Sequence, residues 1–205
     1  ATRAEHIQTA TDIFARMRDV APDGEPYKDK AATLRDYTSW NGVPDEAFDK
    51  ITRLGVVLDA VIEEYRMDAL ALRCWPEFQD ELGGIGPCAA VAWLNEVGLP
   101  TACEGDVVGA VSMLTLHLLT ERVTTMMDLV TVLEDEDLIH LWHCGPTAPS
   151  LADVTGQRLT YHPTLDRASP PEAPRSGVAS DVVLAPGPVT VARFGGAADR
   201  VFSLS

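Results

Sequence analysis

The chain has 205 residues, of which 46% are hydrophobic and 23% charged, and its mean hydropathy of +0.01 is typical of a globular protein. This composition excludes a disordered or collagen-like chain. The 31 acidic and 16 basic residues give a formal net charge of -15. So much negative charge disfavours nucleic acid and anionic membrane surfaces as partners.

The first hundred residues predict helices followed by an α/β unit. Apolar residues at three- and four-residue steps, with proline and glycine between the runs, predict helices over residues 7–17, 30–40 and 44–65. The short apolar run at 68–74 is typical of a buried strand, and an apolar helix over 87–97 follows a loop. The order helix, strand, loop, helix predicts an α/β fold with a parallel, Rossmann-like sheet.

After residue 100 the pattern favours strands. A short strand at 101–103 leads to a helix that Asp106 can cap. Further strands are expected at 126–133, 138–142, 189–194 and 200–204, with an acidic turn at 134–137 and irregular structure over 145–188. We therefore expect a partial α/β domain at 1–99, followed at 100–205 by a β-rich α+β domain that is truncated at its end.

Four cysteines fall singly along the chain, at Cys74, Cys88, Cys103 and Cys144. Each lies in or beside an apolar segment, which is typical of small buried thiols in a reducing compartment. Apolar runs of ~18 residues, long enough to cross a bilayer, do not occur, and the N-terminus is unlike a signal peptide. We expect a cytoplasmic protein.

The segment Cys103-Glu104-Gly105-Asp106 is the strongest candidate for a chemical site. Two carboxylates separated by one residue at a strand end can converge on a divalent cation, and their hard oxygens suit Mg²⁺ or Mn²⁺. The same spacing also fits a helix-capping aspartate with an acidic neighbour that the helix dipole favours.

Two other segments are candidates for ligand contacts. Trp75 and Glu77 follow a predicted parallel strand, at the edge where open α/β sheets bind ligands, although a solvated acidic loop gives the same pattern. His143 ends another predicted strand. It can bind a metal or a substrate, or it can be a structural histidine.

Several ordered blocks give the chain a resemblance to the L-fucose isomerase and L-arabinose isomerase superfamily, and to fucose-isomerase-like proteins in particular. They extend from residue 70 to about 149, with a later block near 187–194. The blocks are Ala71-Leu-Arg-Cys-Trp-Pro76, Pro87-Cys88, Leu94-Asn95, Cys103-Glu-Gly-Asp106, Ser112-Met113, His143-Cys-Gly145 and Gly187-Pro-Val-Thr190.

The resemblance implies a metal-dependent aldose–ketose isomerase, commonly with Mn²⁺, that acts through a cis-enediol and works as a homo-oligomer. Asp106 matches the family's carboxylate ligand, and Glu104 is its neighbour, as a ligand or a support. In such chemistry a cation stabilises the enediolate while a carboxylate moves the proton. We assign Asp106 and Glu77 to catalysis, and Trp75, His143 and Glu104 to sugar binding.

Two positions depart from that pattern. Val91 stands where the L-fucose isomerases carry a second catalytic carboxylate, so Glu77 or Glu81 would have to serve. The family's histidine ligand is expected beyond Ser205, since His162 lies in the wrong context. We therefore expect an internal to C-terminal fragment of an isomerase-like protein, or alternatively a non-catalytic carbohydrate-binding or regulatory relative that retains the cleft.

Overall fold

A computed structural model describes residues 9–83, 85–160, 178–197 and 200–202 of the chain. The helices are α1 (Ala10–Asp19), α2 (Glu25–Tyr37), α3 (Asp45–Tyr65), α4 (Glu77–Glu81), α5 (Cys88–Glu96) and α6 (Val107–Thr120). The strands are β1 (Leu70–Ala71), β2 (Thr101–Ala102), β3 (Asp128–Leu133), β4 (Leu138–Trp142), β5 (Arg158–Thr160), β6 (Ala179–Asp181), β7 (Gly195–Ala197) and β8 (Arg200–Phe202). The mixture of helices and small sheets confirms the α/β class.

The N-terminal helices pack on α3, whose apolar stripe forms the centre of the core. Ile51, Leu54 and Leu58 of α3 are buried, and both α1 and α2 lie against this helix. A side chain placed every three or four residues returns to the same helix face, which explains the continuous stripe. The helix α2 starts earlier than predicted, because Pro26 lies in its first turn, where a proline is tolerated, and does not break it.

The strands β1 and β2 pair in parallel, as the order of elements predicts. Leu70 lies opposite Thr101 and Ala71 opposite Ala102, and α6 contacts both strands. The regular pairing is shorter than the apolar run at 68–74 that predicts it. Parallel strands end at the same edge of a sheet, so the residues after each strand are brought together there.

A buried asparagine holds β2 in place. The Asn95 side chain accepts a hydrogen bond from the Thr101 N–H at 2.7 Å and donates to the carbonyls of Thr101 at 3.1 Å and Pro146 at 2.9 Å. Asn95 is only 2% exposed, and its amide is satisfied on both sides. Its bonds connect α5, β2 and the segment after β4.

The strands β3 and β4 form an antiparallel hairpin whose turn carries the predicted acidic residues 134–137. Apolar side chains are exposed on this hairpin, and they are Leu129, Val130, Val132, Leu133, Leu138, Ile139 and Trp142. The pairs β5–β6 and β7–β8 are also antiparallel. The hairpin therefore presents an apolar surface that the rest of the described chain leaves uncovered.

One predicted strand is wrong and one other prediction needs revision. Residues 189–194 form no strand, because the alternating pattern finds no partner strand among the described residues. The span 145–188, predicted to be irregular, contains β5 and β6. Ile7, His162 and Leu204, which enter the predictions above, lie outside the described residues.

The parallel sheet and the Asn95 bonds connect residues on both sides of the expected domain boundary between residues 99 and 100. The division into domains at 1–99 and 100–205 stays a prediction. Within the described ranges, helices of the length and apolar character required to cross a membrane do not occur.

The core predicts a clear contrast between two leucine substitutions. We expect Leu54→Ala to lower the free energy of unfolding by about 2–5 kcal/mol, because it opens a cavity at a fully buried position. The matched control Leu118→Ala removes the same atoms at a position that is 69% exposed and should stay within about 0.5 kcal/mol. Urea denaturation measures both, and equal losses would contradict this assignment of the core.

Candidate functional site

The candidate site lies where the chain leaves the carboxyl end of the parallel sheet. Beyond β2 the chain turns sharply, with Glu104 at φ 60° and Gly105 at φ 69°, and the Gly105 N–H donates to the Leu72 carbonyl at 3.1 Å. A non-glycine residue with positive φ is uncommon and stores strain. The turn brings Asp106 to the first turn of α6.

Asp106 caps α6 and pairs with an arginine from far along the chain. Its Oδ1 accepts the Gly109 N–H at 2.8 Å. The Arg193 guanidinium donates through Nη1 to Oδ2 at 2.6 Å and through Nη2 to Oδ1 at 3.1 Å. Partial burial alone would raise the pKa of the Asp106 carboxyl, but the bonds from Arg193 and Gly109 outweigh it and leave this pKa below its ordinary value. Asp106 is therefore a firmly ionised carboxylate.

Glu104 has different surroundings from Asp106. Its side chain is exposed, while its backbone N–H helps to lower the pKa of the Cys74 thiol. In the part of the chain that the structure describes, no group of three His, Cys, Asp or Glu side chains is arranged to hold a metal ion. Asp106 and Glu104 offer the hard oxygens that Mn²⁺ prefers, but the described residues do not form a complete cation site.

Glu77 and Trp75 lie beside this edge, on the segment after β1. Glu77 Oε1 forms an ion pair with Arg73 Nη2 at 3.3 Å, while its Oε2 is buried without a hydrogen-bond partner in the described structure. The Trp75 ring is 49% exposed. The adjacent Arg73 also lies against the turn, because a Cβ at Gly105 would be 3.6 Å from the Arg73 Cβ.

Val91, by contrast, is a core residue of α5 with 0% exposure. Its side chain belongs to the same hydrophobic cluster as Leu54 and Leu94. A carboxylate at this position would need a buried partner, so the apolar residue is consistent with local packing. The second catalytic carboxylate of the resemblance is therefore absent at this position.

His143 is half-buried and keeps one ring nitrogen free. Its Nδ1 accepts the Cys144 N–H at 2.8 Å, which places the proton on Nε2, and Nε2 is buried without a hydrogen-bond partner in the described structure. Burial alone would lower the pKa of His143. The Cys144 side chain and the charges of Asp128 and Glu104 overcome this effect, and the pKa is raised.

The four cysteines, which are far apart in sequence, form two thiol pairs behind this edge. Interaction with the Cys103 thiol lowers the pKa of the Cys74 thiol, and interaction with Cys144 raises the pKa of the Cys88 thiol. Cys74, Cys88 and Cys103 are buried, as the sequence predicts, whereas Cys144 is half-buried, and the four cysteines form no disulfide. Because the cysteines occur singly in the sequence, their spacing does not predict that they lie close together in the fold.

Arg193 is the main residue of this site that the sequence reasoning missed. It lies in the segment 189–194, whose alternating pattern is typical of a strand, and no local motif connects it to Asp106. Only its positive charge could have marked it as a partner for a carboxylate, since basic side chains are scarce in a chain of net charge -15. Contacts between residues 87 positions apart depend on the fold rather than on spacing.

Comparison with known proteins gives one consistent result. Over 151 residues the chain is 34% identical to a sulfoquinovose isomerase of Priestia megaterium, and over 160 residues it is 35% identical to one of Alkalicoccus urumqiensis. These matches cover 73% and 74% of this chain but 32% and 34% of the relatives, so the chain spans about a third of their length. A sulfoquinovose isomerase of a Clostridium species is 37% identical over 127 residues.

No family model and no solved structure matches the chain. A match that covers 73% of the chain cannot leave out its middle, and it therefore includes Asp106. All of these relatives are named for a sugar isomerase activity. Membership of the L-fucose and L-arabinose isomerase superfamily in particular stays a prediction.

The ionised Asp106 predicts a pH-dependent stability difference. Its folded pKa lies below the unfolded value, so its stabilisation is complete above the unfolded pKa and is lost as pH falls through the folded pKa. Asp106→Asn still caps α6 but loses the charge pair. We expect it to cost on the order of 1 kcal/mol at neutral pH, because the arginine is half-exposed.

Urea midpoints of the wild type and Asp106→Asn, measured from neutral pH into the acid range, check this prediction. The difference between the two proteins should shrink across the acid range. In the Arg193→Met background, Asp106→Asn should have a smaller effect at every pH. A difference that stays constant with pH would show that ionisation of Asp106 contributes nothing.

Proposed function

We propose that this chain belongs to an aldose–ketose sugar isomerase and provides part of its active site. The single observation that carries the proposal is the 34–37% identity to three proteins named sulfoquinovose isomerase. The matched stretch includes the sheet edge where Asp106 and the other candidate residues lie. The relatives' name suggests the substrate, an aldohexose that carries a sulfonate on carbon 6.

Aldose–ketose conversion requires a proton to move between adjacent carbons while negative charge develops on their oxygens. We propose that this occurs through a cis-enediol. Asp106 is ionised at neutral pH, which suits a residue that accepts a proton or binds a cation. We assign Glu77 to the second proton transfer, and its buried, unpartnered Oε2 supports a role that a ligand completes.

Sugar binding is proposed for Trp75, His143 and Glu104. The exposed Trp75 ring offers a flat apolar surface against which the C–H face of a sugar can pack. The His143 Nε2–H is a buried donor in need of an acceptor, and a sugar hydroxyl would supply one. The exposed Glu104 carboxylate can accept from a hydroxyl.

We propose Mn²⁺, or another divalent metal, as the cofactor. Asp106 and Glu104 would be its ligands from this chain, and further ligands would have to lie outside the described residues. When bound, such an ion would supply positive charge that stabilises the negative charge developing on the sugar oxygens. We also propose a cytoplasmic homo-oligomer, for which the exposed apolar hairpin β3–β4 offers a surface to cover.

A non-catalytic carbohydrate-binding or regulatory relative is the second candidate. The buried Val91 favours it, because a chain that lacks the expected carboxylate could bind a sugar without converting it. The two functions differ in the effect of Asp106→Asn. In an enzyme, this substitution would lower turnover. A binding protein would keep its affinity for the sugar after the substitution, and neither the wild type nor the variant would show turnover.

The test uses the polypeptide as the cell makes it, with whatever sequence adjoins these residues, loaded with Mn²⁺. Incubation with sulfoquinovose in deuterated water should give the ketose with deuterium incorporated at the reacting carbon, as measured by NMR. We expect Asp106→Asn to lower kcat at least about 100-fold, the lower range for loss of a positioned acid–base group. Removal of metal by a chelator should abolish turnover, and Mn²⁺ should restore it.

Asp153→Asn is the matched control. Asp153 also accepts a backbone N–H, from Thr155 at 2.8 Å, but it lies on an exposed turn after α6 and the hairpin. It should retain full activity. Absence of both product and hydrogen exchange with sulfoquinovose, glucose and common pentoses would overturn the isomerase proposal, while full activity after chelation would overturn only the metal.

A further inference from the structure

The Asp106–Arg193 pair is a two-point contact between the guanidinium and both carboxylate oxygens. Nη1 and Nη2 of the guanidinium each face one oxygen, at 2.6 and 3.1 Å. Such fork-to-fork pairs are among the strongest hydrogen-bonded ion pairs because both bonds are charge-assisted and parallel. The guanidinium therefore occupies the position that a cation bound through both oxygens would take.

The remaining space around the Asp106 carboxylate is also restricted. A Cβ at Gly109 would lie 2.5 Å from Oδ2 and 3.0 Å from the Met126 sulfur, so the carboxylate packs directly on the backbone of α6. Oδ1 already accepts a second hydrogen bond, from the Gly109 N–H. The carboxylate thus has little freedom to turn away from Arg193 and toward another partner.

The segment that carries Arg193 is fastened to α6 at a second point. The Phe194 N–H donates to the Ser112 hydroxyl at 2.9 Å, and Ser112 is only 5% exposed. Asp106 and Ser112 lie about two turns apart on the same helix, so residues 193 and 194 lie along it. The position of the guanidinium is consequently set by the fold and not by a free surface side chain.

We propose that Arg193 is a positioning residue for Asp106, and that its guanidinium and a divalent cation exclude one another at this carboxylate. The inference rests on the proposed function, in which Asp106 binds the cation. Cation binding requires the guanidinium to move away, because two positive groups cannot share the same two oxygens.

The test measures Mn²⁺ affinity without sugar, from the electron paramagnetic resonance signal of free Mn²⁺, at physiological salt to screen the acidic surface. We expect Arg193→Met to bind Mn²⁺ at least about fivefold more tightly than the wild type, the low end of the coupling usual between two ligands of one protein. Arg193→Lys, which keeps the charge but not the fork, should fall between them. Asp106→Asn should lack the site in both backgrounds.

Arg158→Met is the matched control, since Arg158 also pairs with an aspartate, Asp181, at 2.6 Å and lies on β5, away from α6. Its Mn²⁺ affinity should equal that of the wild type. A second readout is reaction with phenylglyoxal, which modifies accessible guanidinium groups. Mn²⁺ should increase labelling of Arg193, as judged by peptide mass spectrometry, and leave labelling of Arg158 unchanged.

The outcomes distinguish failure of the proposed exclusion from failure of the proposed metal site. Equal or weaker Mn²⁺ binding by Arg193→Met, with a wild type that binds through Asp106, would overturn the exclusion and leave the proposed metal intact. Absence of an Asp106-dependent Mn²⁺ site from the wild type and from Arg193→Met would overturn both. Tighter binding by Arg193→Met together with Mn²⁺-dependent labelling of Arg193 would support the exclusion.

Discussion

The parallel pairing of β1 with β2 is the constraint on which the candidate site depends. Only two residues of each strand pair, yet the pairing brings together segments that are about thirty positions apart in sequence. The Asn95 amide holds β2 from the other side by bonding both its N–H and its carbonyl. Without this pairing, Cys74 and Asp106 would not be held at the same edge of the sheet. The two residues are far apart in sequence and make no strong contact with each other.

Charge gives this edge its chemical character. The chain carries almost twice as many acidic as basic residues, so an arginine between two carboxylates is a scarce element of the structure. Arg193 pairs with Asp106 and is also attracted by Asp128. The Asp106 carboxylate is thereby kept ionised by a positive group from the same chain. This arrangement offsets the cost of partly burying the charged aspartate.

The sequence predicts the parts of this structure that local physics determines. The helix α3 follows from its apolar repeat, β4 from an apolar run between an acidic turn and a glycine, and the capping role of Asp106 from its place before an apolar helix. These features depend on neighbours within about four residues. The site residues that come from β1 and β2 were also predictable, because parallel strands must end at one edge.

The rest depends on contacts that spacing does not encode. The Arg193 contact, the two thiol pairs and the free nitrogen of His143 each join distant segments or depend on burial. The strand wrongly predicted at 189–194 also shows that a local sequence pattern cannot predict a long-range contact. Its alternating side chains are compatible with a sheet, but pairing requires a partner edge, and this segment lies along α6 instead.

The hairpin β3–β4 has a consequence for how the protein behaves in solution. Its two open edges and exposed apolar side chains are features that favour strand-to-strand association between molecules. The acidic turn at its tip acts in the opposite direction, because like charges repel when two tips approach. Since this repulsion extends only over a Debye length of about 8 Å at physiological ionic strength, added salt weakens the protection while the apolar attraction remains. The colloidal stability of the chain is therefore tied to ionic strength through four acidic residues.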